Sequence, residues 1–206
     1  MKLVTDKQKL SKPLQPQKLS QQEIDEISTK LLDELTRHKG IGLSANQIGL
    51  DVRACVINVK EPLVFINPKV VEVSEEQVMY VEQCLSLPKT LKKPVKTVRR
   101  KEITIECDNL GTVVFSPDSD NWESPNDFWN DMGMLETVVI QHELDHLDGI
   151  LITDKQRRYV ETVRTNKINR NEKVMVKLND GTTDFVKYKH VVTSDGSLRS
   201  PYVEIL

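Results

Sequence analysis

The sequence predicts an α+β fold in which antiparallel strands pack around a central helix carrying an HExxH string, followed by a small basic C-terminal extension. Three observations lead there. Apolar residues recur at three and four positions between Ser20 and His38, and a second helical pattern runs from about Gly133 to Leu147. Between the two lie short runs rich in Val, Ile and Phe, separated by Pro, Asn-Pro or Asn-Leu-Gly breaks, as antiparallel strands require. Beyond Asp154 the charge changes sign: residues 155–206 hold 11 Lys/Arg against 6 Asp/Glu, net +5, whereas residues 1–154 carry −7.

The 206 residues suffice for one sizeable core with a small appendage, here expected as a catalytic unit of residues 1–154 and an extension of residues 155–206. With 38% hydrophobic and 29% charged residues and a net charge of −2, the chain has the composition of a soluble globular protein. No apolar run approaches the ~18 residues of a membrane span, and "MKLVTDKQKL" lacks the apolar centre of a signal peptide. A cytoplasmic monomer with no membrane partner is therefore expected. Three cysteines, Cys55, Cys84 and Cys107, are an odd number that argues for reduced thiols, any of them available as a ligand.

In chain order, Ile24, Ile27, Leu31, Leu32 and Leu35 form the apolar stripe of the first helix, with Ser20 and Glu23 spaced as a capping box. "GIGLSANQIGL" then gathers three of the eight glycines where the backbone must bend or be approached closely, ahead of the strand-like "VRACVINV". "PLVFINPKVVEV", "EQVMYVEQCLSL" and "RKEITIECDNLG" read as strands, with Cys84 at the end of one, while Cys55 and Cys107 fall inside apolar runs and read as core. "SPDSDNWESPNDFWNDM", residues 116–132, is acidic and aromatic, and its two prolines argue against a regular element. Gly149 is placed to end the second helix in the left-handed conformation. In the extension, "KQRRYVETVRTNKINRNEK" reads as helix or linker, and "KVMVKLNDGTTDFVKYKH" as two strands about an Asn-Asp-Gly turn.

The chemistry starts from "QHELDHLDG". On a helix, His142 and His146 are stacked neighbours able to reach one ion, and Glu143, one step round, can face that ion's remaining position. A catalytic site of this kind normally has a third protein ligand. No HxxGxxH extension follows; Asp148, Asp154 and Glu161 are the downstream carboxylates, and Cys84 is the upstream thiol. A Cys/His/His set would suit Fe(II) or Zn(II).

Three segments together resemble the peptide deformylase family: "GIGLSANQ" from Gly40 to Gln47, "EQCLS" from Glu82 to Ser86 and "QHELDH" from Gln141 to His146. Two positions depart from the family pattern, Ser44 where alanine is usual and Gln83 where glycine precedes the cysteine. The resemblance implies that Cys84, His142 and His146 hold one divalent ion, Fe(2+) natively with Zn(2+), Ni(2+) or Co(2+) as substitutes. It implies Glu143 as the proton-transferring residue, and the Gln47 amide and Leu85 N–H as donors to the carbonyl oxygen under attack. The substrate it implies is the N-formylmethionyl end of a new polypeptide, released as formate and a free amine. Ile41, Tyr80, Leu135, Val138 and Val139 would then wall the methionine pocket, with Gly42 letting the peptide backbone approach. Glu82 and Arg99 read either as an ion pair buttressing the cysteine turn or as solvated charges, outside the catalytic set.

Two features stand apart from the resemblance. Trp122, Phe128 and Trp129 in the acidic stretch could fold over the cleft and meet residues after the methionine, and the basic extension could dock on ribosomal RNA by counterion release. Two rival functions remain open on sequence alone, a zincin-type metalloprotease and a non-enzymatic, ribosome-associated module with a structural metal.

Overall fold

Local capping rules set the helical framework of this computed structural model, which describes residues 1–120, 123, 125–155, 173–180, 183–191, 197–198 and 202–205. Asp6 accepts from the backbone of Gln8 and Lys9 to start the short α1 (Lys7–Leu10). Ser20 and Glu23 form the reciprocal capping box of α2 (Gln21–His38), with Ser20 N donating to Glu23 Oε2 at 2.8 Å. Lys39 closes α2 in the left-handed conformation. Two further helices, α4 (Pro125–Asn130) and α5 (Met132–Leu147), come later, after the short α3 (Pro88–Lys92) that follows the cysteine turn.

The strands are short and antiparallel. β1 (Gly42–Ser44), β2 (Ala54–Asn58) and β3 (Pro62–Ile66) form one sheet in that order, and β4 (Lys69–Val73), β7 (Ile103–Cys107) and β8 (Gly111–Phe115) form a second, ordered β4-β7-β8. β5 (Gln77–Glu82) and β6 (Val95–Arg100) make a two-stranded ribbon. Asn67, at φ 51, turns the chain between β3 and β4, and Gly111, at φ 70, closes the Asp108-Asn109-Leu110 hairpin loop between β7 and β8.

In the extension, β9 (Lys173–Leu178) pairs with β10 (Thr183–Lys187), and β9 also pairs with β11 (Tyr202–Ile205), a strand that periodicity alone does not reveal. Lys96 Nζ donates to Leu198 O at 2.7 Å, tying the C-terminal region to β6. The expected helix or linker after Lys155 and the glycine of the Asn-Asp-Gly turn lie outside the described residues.

The main core brings Leu31 and Leu35 of α2 against Val56, Phe65 and Ile105 of the sheets and Ile140, Leu144 and Leu147 of α5. Cys55 is fully buried within it and Cys107 is 6% exposed. Of the sixteen residues of α5, only Met132, Leu135, Glu136 and Asp145 are not buried, so this helix is enclosed on nearly every side. Its buried polar groups must then find partners inside the protein. Gln141 meets that need by acting as a strand: its Oε1 accepts from Arg100 N at 2.9 Å and its Nε2 donates to Arg100 O at 2.9 Å, joining α5 to β6. At the far end, Asn46 Nδ2 donates to His146 O at 2.7 Å, and Gly149, at φ 72, lies where a Cβ would fall 2.5 Å from Ser11 O.

Residues 116–132 differ from the expectation that their prolines exclude a regular element, because Pro125 opens α4 rather than interrupting it. The first turn of a helix has no use for that N–H, and proline's fixed φ already suits the helix. Asp131 separates α4 from α5. Its carboxylate accepts from Met134 N at 2.8 Å, Asp118 N at 2.9 Å and Ser119 N at 3.1 Å, so one residue caps α5 and holds the preceding loop. Replacing it by alanine should lower stability by about 1–2 kcal/mol, seen as a lower urea midpoint with an unchanged m-value.

Candidate active site

β5 ends at Glu82, and the chain turns at once to bring Cys84 inward. Cys84 N donates to Thr90 Oγ1 at 3.0 Å and Leu87 N donates to Cys84 O at 3.0 Å, so the turn is held by the start of α3. From α5, His142 and His146 present rings whose centroids are 5.0 Å apart. Cys84 Sγ lies 3.2 Å from His146 Nε2 although the two residues are 62 positions apart, and the ligand atoms of Cys84, His142 and His146 all fall within 4.8 Å of one another. Such separations are comparable to those around a tetrahedral ion with bonds of about 2.0–2.3 Å, and one thiol with two imidazoles is a donor set that Zn(II) and Fe(II) accept.

His142 is oriented from behind. Its Nδ1 is 2.7 Å from Glu82 Oε2, which leaves Nε2 as the nitrogen available to an ion. Glu82 in turn is gripped by Arg99 through Nε at 2.6 Å and Nη2 at 2.8 Å, and it also accepts from the Thr97 hydroxyl. Arg99 Nη1 reaches Asp145 at 2.5 Å, one residue before His146. Strand alternation explains the placement: Val95, Thr97 and Arg99 of β6 face inward together, as do Val78, Tyr80 and Glu82 of β5. Arg99 is 1% exposed and is among the largest fully buried side chains.

Burial by itself would raise the Glu82 carboxyl, but the Arg99 charge and the hydrogen bonds from His142 and Arg99 hold it well below the usual carboxylate range. For His146 burial lowers the pKa, aided by the neighbouring charges of His142 and Arg99. Of the two readings of Glu82 and Arg99, the structure shows the ion pair beside the cysteine turn: both side chains are buried and paired, and Glu82 borders the site. A sequence signal for the pair was present, a charge closing the inward-facing set of each alternating strand, Val78-Tyr80-Glu82 and Val95-Thr97-Arg99.

Glu143 is 3% exposed, and its Oε2 has no hydrogen-bond partner among the described residues. Burial pushes its carboxyl up to about 7, against the lowering effect of the His142 charge. Gly42 of β1 faces it so closely that an added Cβ would lie 2.4 Å from Glu143 Oε1 and 2.7 Å from Val139 Cγ1. Gln47 sits in the 3-10 turn Ala45–Ile48. Its Oε1 accepts from Ser44 N at 2.9 Å and Ser44 Oγ at 3.0 Å, leaving Nε2 to face Ser86 Oγ at 3.2 Å and Cys84 Sγ at 3.7 Å. Gln47 therefore both caps a turn and presents an amide N–H beside the thiol. Ser44, the departure from alanine, contributes a hydroxyl to that anchoring.

These groups border a cleft of about 580 Å³. Ile41, Gly42, Tyr80, Leu135, Val138 and Val139 all line it, together with Gln47, Cys84, Leu85, His142 and Glu143; His146 is 1% exposed. Gln83 lines the cleft mouth and donates through Nε2 to Leu91 O at 3.2 Å, which fastens α3 to the cysteine turn. Trp129 of α4 also lines it, whereas Trp122 and Glu161 lie outside the described residues. Asp148 pairs with Arg53 at 2.7 Å and Asp154 accepts from Leu151 N at 3.2 Å, so neither joins the histidines. Arg99→Met would leave Glu82 and Asp145 without their buried cation. A loss of about 3–5 kcal/mol in urea unfolding is the expected result.

The sequence profile of a family described as polypeptide deformylase matches residues 2–162. A peptide deformylase of Acinetobacter baumannii is 34% identical over 165 residues, covering 75% of this chain and 85% of the relative, and one of Dictyoglomus thermophilum is 33% identical, covering 71% and 84%. The crystal structure of the peptide deformylase of Thermotoga maritima superposes with a TM-score of 0.57 at 27% identity, covering 71% of this chain and 89% of that one.

Proposed function

Because this chain belongs to the peptide deformylase family, a family of metal-dependent hydrolases, we propose that Cys84, His142 and His146 are its metal ligands and that Glu143, Gln47 and Leu85 carry its chemistry. The enzyme removes the N-formyl group from nascent polypeptides and releases formate. The observation that carries the assignment of residues is the meeting of one thiol and two imidazoles within 4.8 Å beside a buried carboxylate.

A divalent ion held by Cys84, His142 and His146 would supply Lewis acidity to a carbonyl and would bring the pKa of a water molecule towards neutrality. Fe(2+) is the proposed native ion, with Zn(2+), Ni(2+) or Co(2+) as substitutes. Glu143 takes the proton of the attacking water and passes it to the departing amine, first base and then acid, a dual role that suits a carboxyl held near neutrality. The Gln47 amide, immobilised at its oxygen by Ser44, and the Leu85 N–H donate to the carbonyl oxygen as it gains charge; a donor of this kind is typically worth about 2.7–4 kcal/mol of barrier. Gly42 keeps β1 close enough for the peptide backbone to lie beside Glu143. Ile41, Tyr80, Leu135, Val138 and Val139 take the methionine side chain.

On this reading residues 1–154 form the catalytic unit and residues 155–206 a basic extension able to contact ribosomal RNA, in a monomeric cytoplasmic protein. No helix among the described residues is long and apolar enough to cross a membrane. A zincin would take its third ligand downstream of the histidines, and a structural metal would have no use for a buried carboxylate with a free oxygen beside it; neither is favoured.

The test is formate release from formyl-Met-Ala-Ser by anaerobically prepared protein, with and without chelator. Activity should vanish with the chelator. Cys84→Ala should abolish both activity and bound metal, while Glu143→Gln should retain metal and lose at least about 10²-fold in kcat. Metal retained in Cys84→Ala would reject the ligand set. Since catalysis requires Glu143 to start deprotonated, kcat/KM should rise with pH on the acid side. A cation next to the carboxylate lowers its pKa, so that limb should fall below pH 7 in the loaded enzyme.

A further inference from the structure

The apolar lining of the cleft is graded from floor to rim. Val138, Tyr80 and Val139 at the floor are 2%, 7% and 7% exposed, whereas Ile41, where the methionine pocket meets the rim, and Leu91 and Trp129 on the rim are 46%, 45% and 44% exposed. The floor accommodates the first side chain of a bound peptide. Side chains that follow must leave past the rim, over large apolar groups that are open to water in the free protein. Exposed apolar groups continuous with a binding cleft are the ordinary mark of a contact surface.

Trp129 is the best placed of the three. Its ring centroid is 4.8 Å from that of Tyr80 and 5.0 Å from that of Phe128, and Phe128 is itself 6% exposed and 5.6 Å from Tyr80. Two rings thus brace the indole while the rest of it borders the cleft. Asp131, the single residue between α4 and α5, caps the helix that bears His142 and Glu143, so the indole is set in position relative to the reacting groups. A rigid aromatic held this way loses little entropy when a ligand covers it.

We propose that Trp129 is a specificity-determining residue that makes the enzyme favour formyl-peptides with a large apolar second residue, whose side chain lies on the exposed part of the indole. The proposal rests on the deformylase reading and extends it past the first methionine. α4, Pro125–Asn130, is then an aromatic wall of the cleft and not a lid that must close. Contact of this kind binds ground state and transition state alike, so the preference is expressed in KM and not in kcat.

The experiment compares formate release by metal-loaded enzyme from formyl-Met-Ala-Ser, formyl-Met-Leu-Ser, formyl-Met-Phe-Ser and formyl-Met-Asp-Ser. The wild type should favour the Leu and Phe peptides over the Ala peptide by about tenfold in kcat/KM, the scale set by covering part of an indole. In Trp129→Ala that ratio should collapse towards one, and in Trp129→Phe most of it should survive. A wild type indifferent to the second residue overturns the proposal without any variant. So does a ratio that persists in Trp129→Ala, or an equal loss on all four peptides, which would reduce Trp129 to a prop for Tyr80. Failure of the wild type to release formate even from formyl-Met-Ala-Ser would strike the deformylase reading itself, and this inference with it.

Discussion

The buried Arg99 guanidinium holds three pieces of the protein in register. It binds Glu82 at the end of β5 with two nitrogens and Asp145 on α5 with a third, and Glu82 passes the constraint to His142 Nδ1. Cys84 leaves β5 two residues after Glu82, so the same strand end that orients one imidazole also delivers the thiol. Burying a guanidinium and its carboxylates is costly in desolvation, and it is sustained only where the geometry satisfies nearly every donor and acceptor. Bidentate pairing, the Thr97 hydroxyl and the histidine nitrogen meet that requirement here. The interaction contributes position more than net stability, which is what a site assembled from two distant segments demands.

The opposite wall of the site depends on close approach instead of charge. β1 can lie against α5 only because Gly42 has no side chain, and the space a Cβ would occupy belongs to the Glu143 carboxylate. Enclosure by β1 and by Val139 is also what deprives Glu143 of solvent and brings its carboxyl to about 7, a value suited to receiving and returning a proton near neutrality. The neighbouring turn makes a second use of one group: the Gln47 oxygen is spent on Ser44, and that fixes the direction of the nitrogen beside Cys84.

The third wall is aromatic. Phe128 and Trp129 come from α4 and Tyr80 from β5, and their contact is favoured because Asp131 anchors both the helix after it and the loop before it. Among the described residues the acidic stretch is fastened to α5 by Asp131 and again by Asp118, whose Oδ2 accepts from Gly133 N at 3.0 Å.

Much of the framework was legible in the linear order. The Ser20/Glu23 box, the apolar period of α2, the hairpin at Asp108–Gly111 and the left-handed Gly149 all arise from interactions within a few residues, which are written locally and need no fold to be read. The spacing of His142, Glu143 and His146 is of the same kind, since one helical turn relates them. The sequence also supplied the candidate ligand types, through the resemblance of three short segments. Tertiary structure alone decided that Cys84 stands 3.2 Å from His146, that Glu82 and Arg99 are buried partners and not surface charges, that Pro125 begins a helix, and that Trp129 reaches the cleft. Each of these depends on which strand lies beside which helix and in what register. A buried ion pair and a solvated one are spelled with the same letters; only the packing around them sets the dielectric that separates the two.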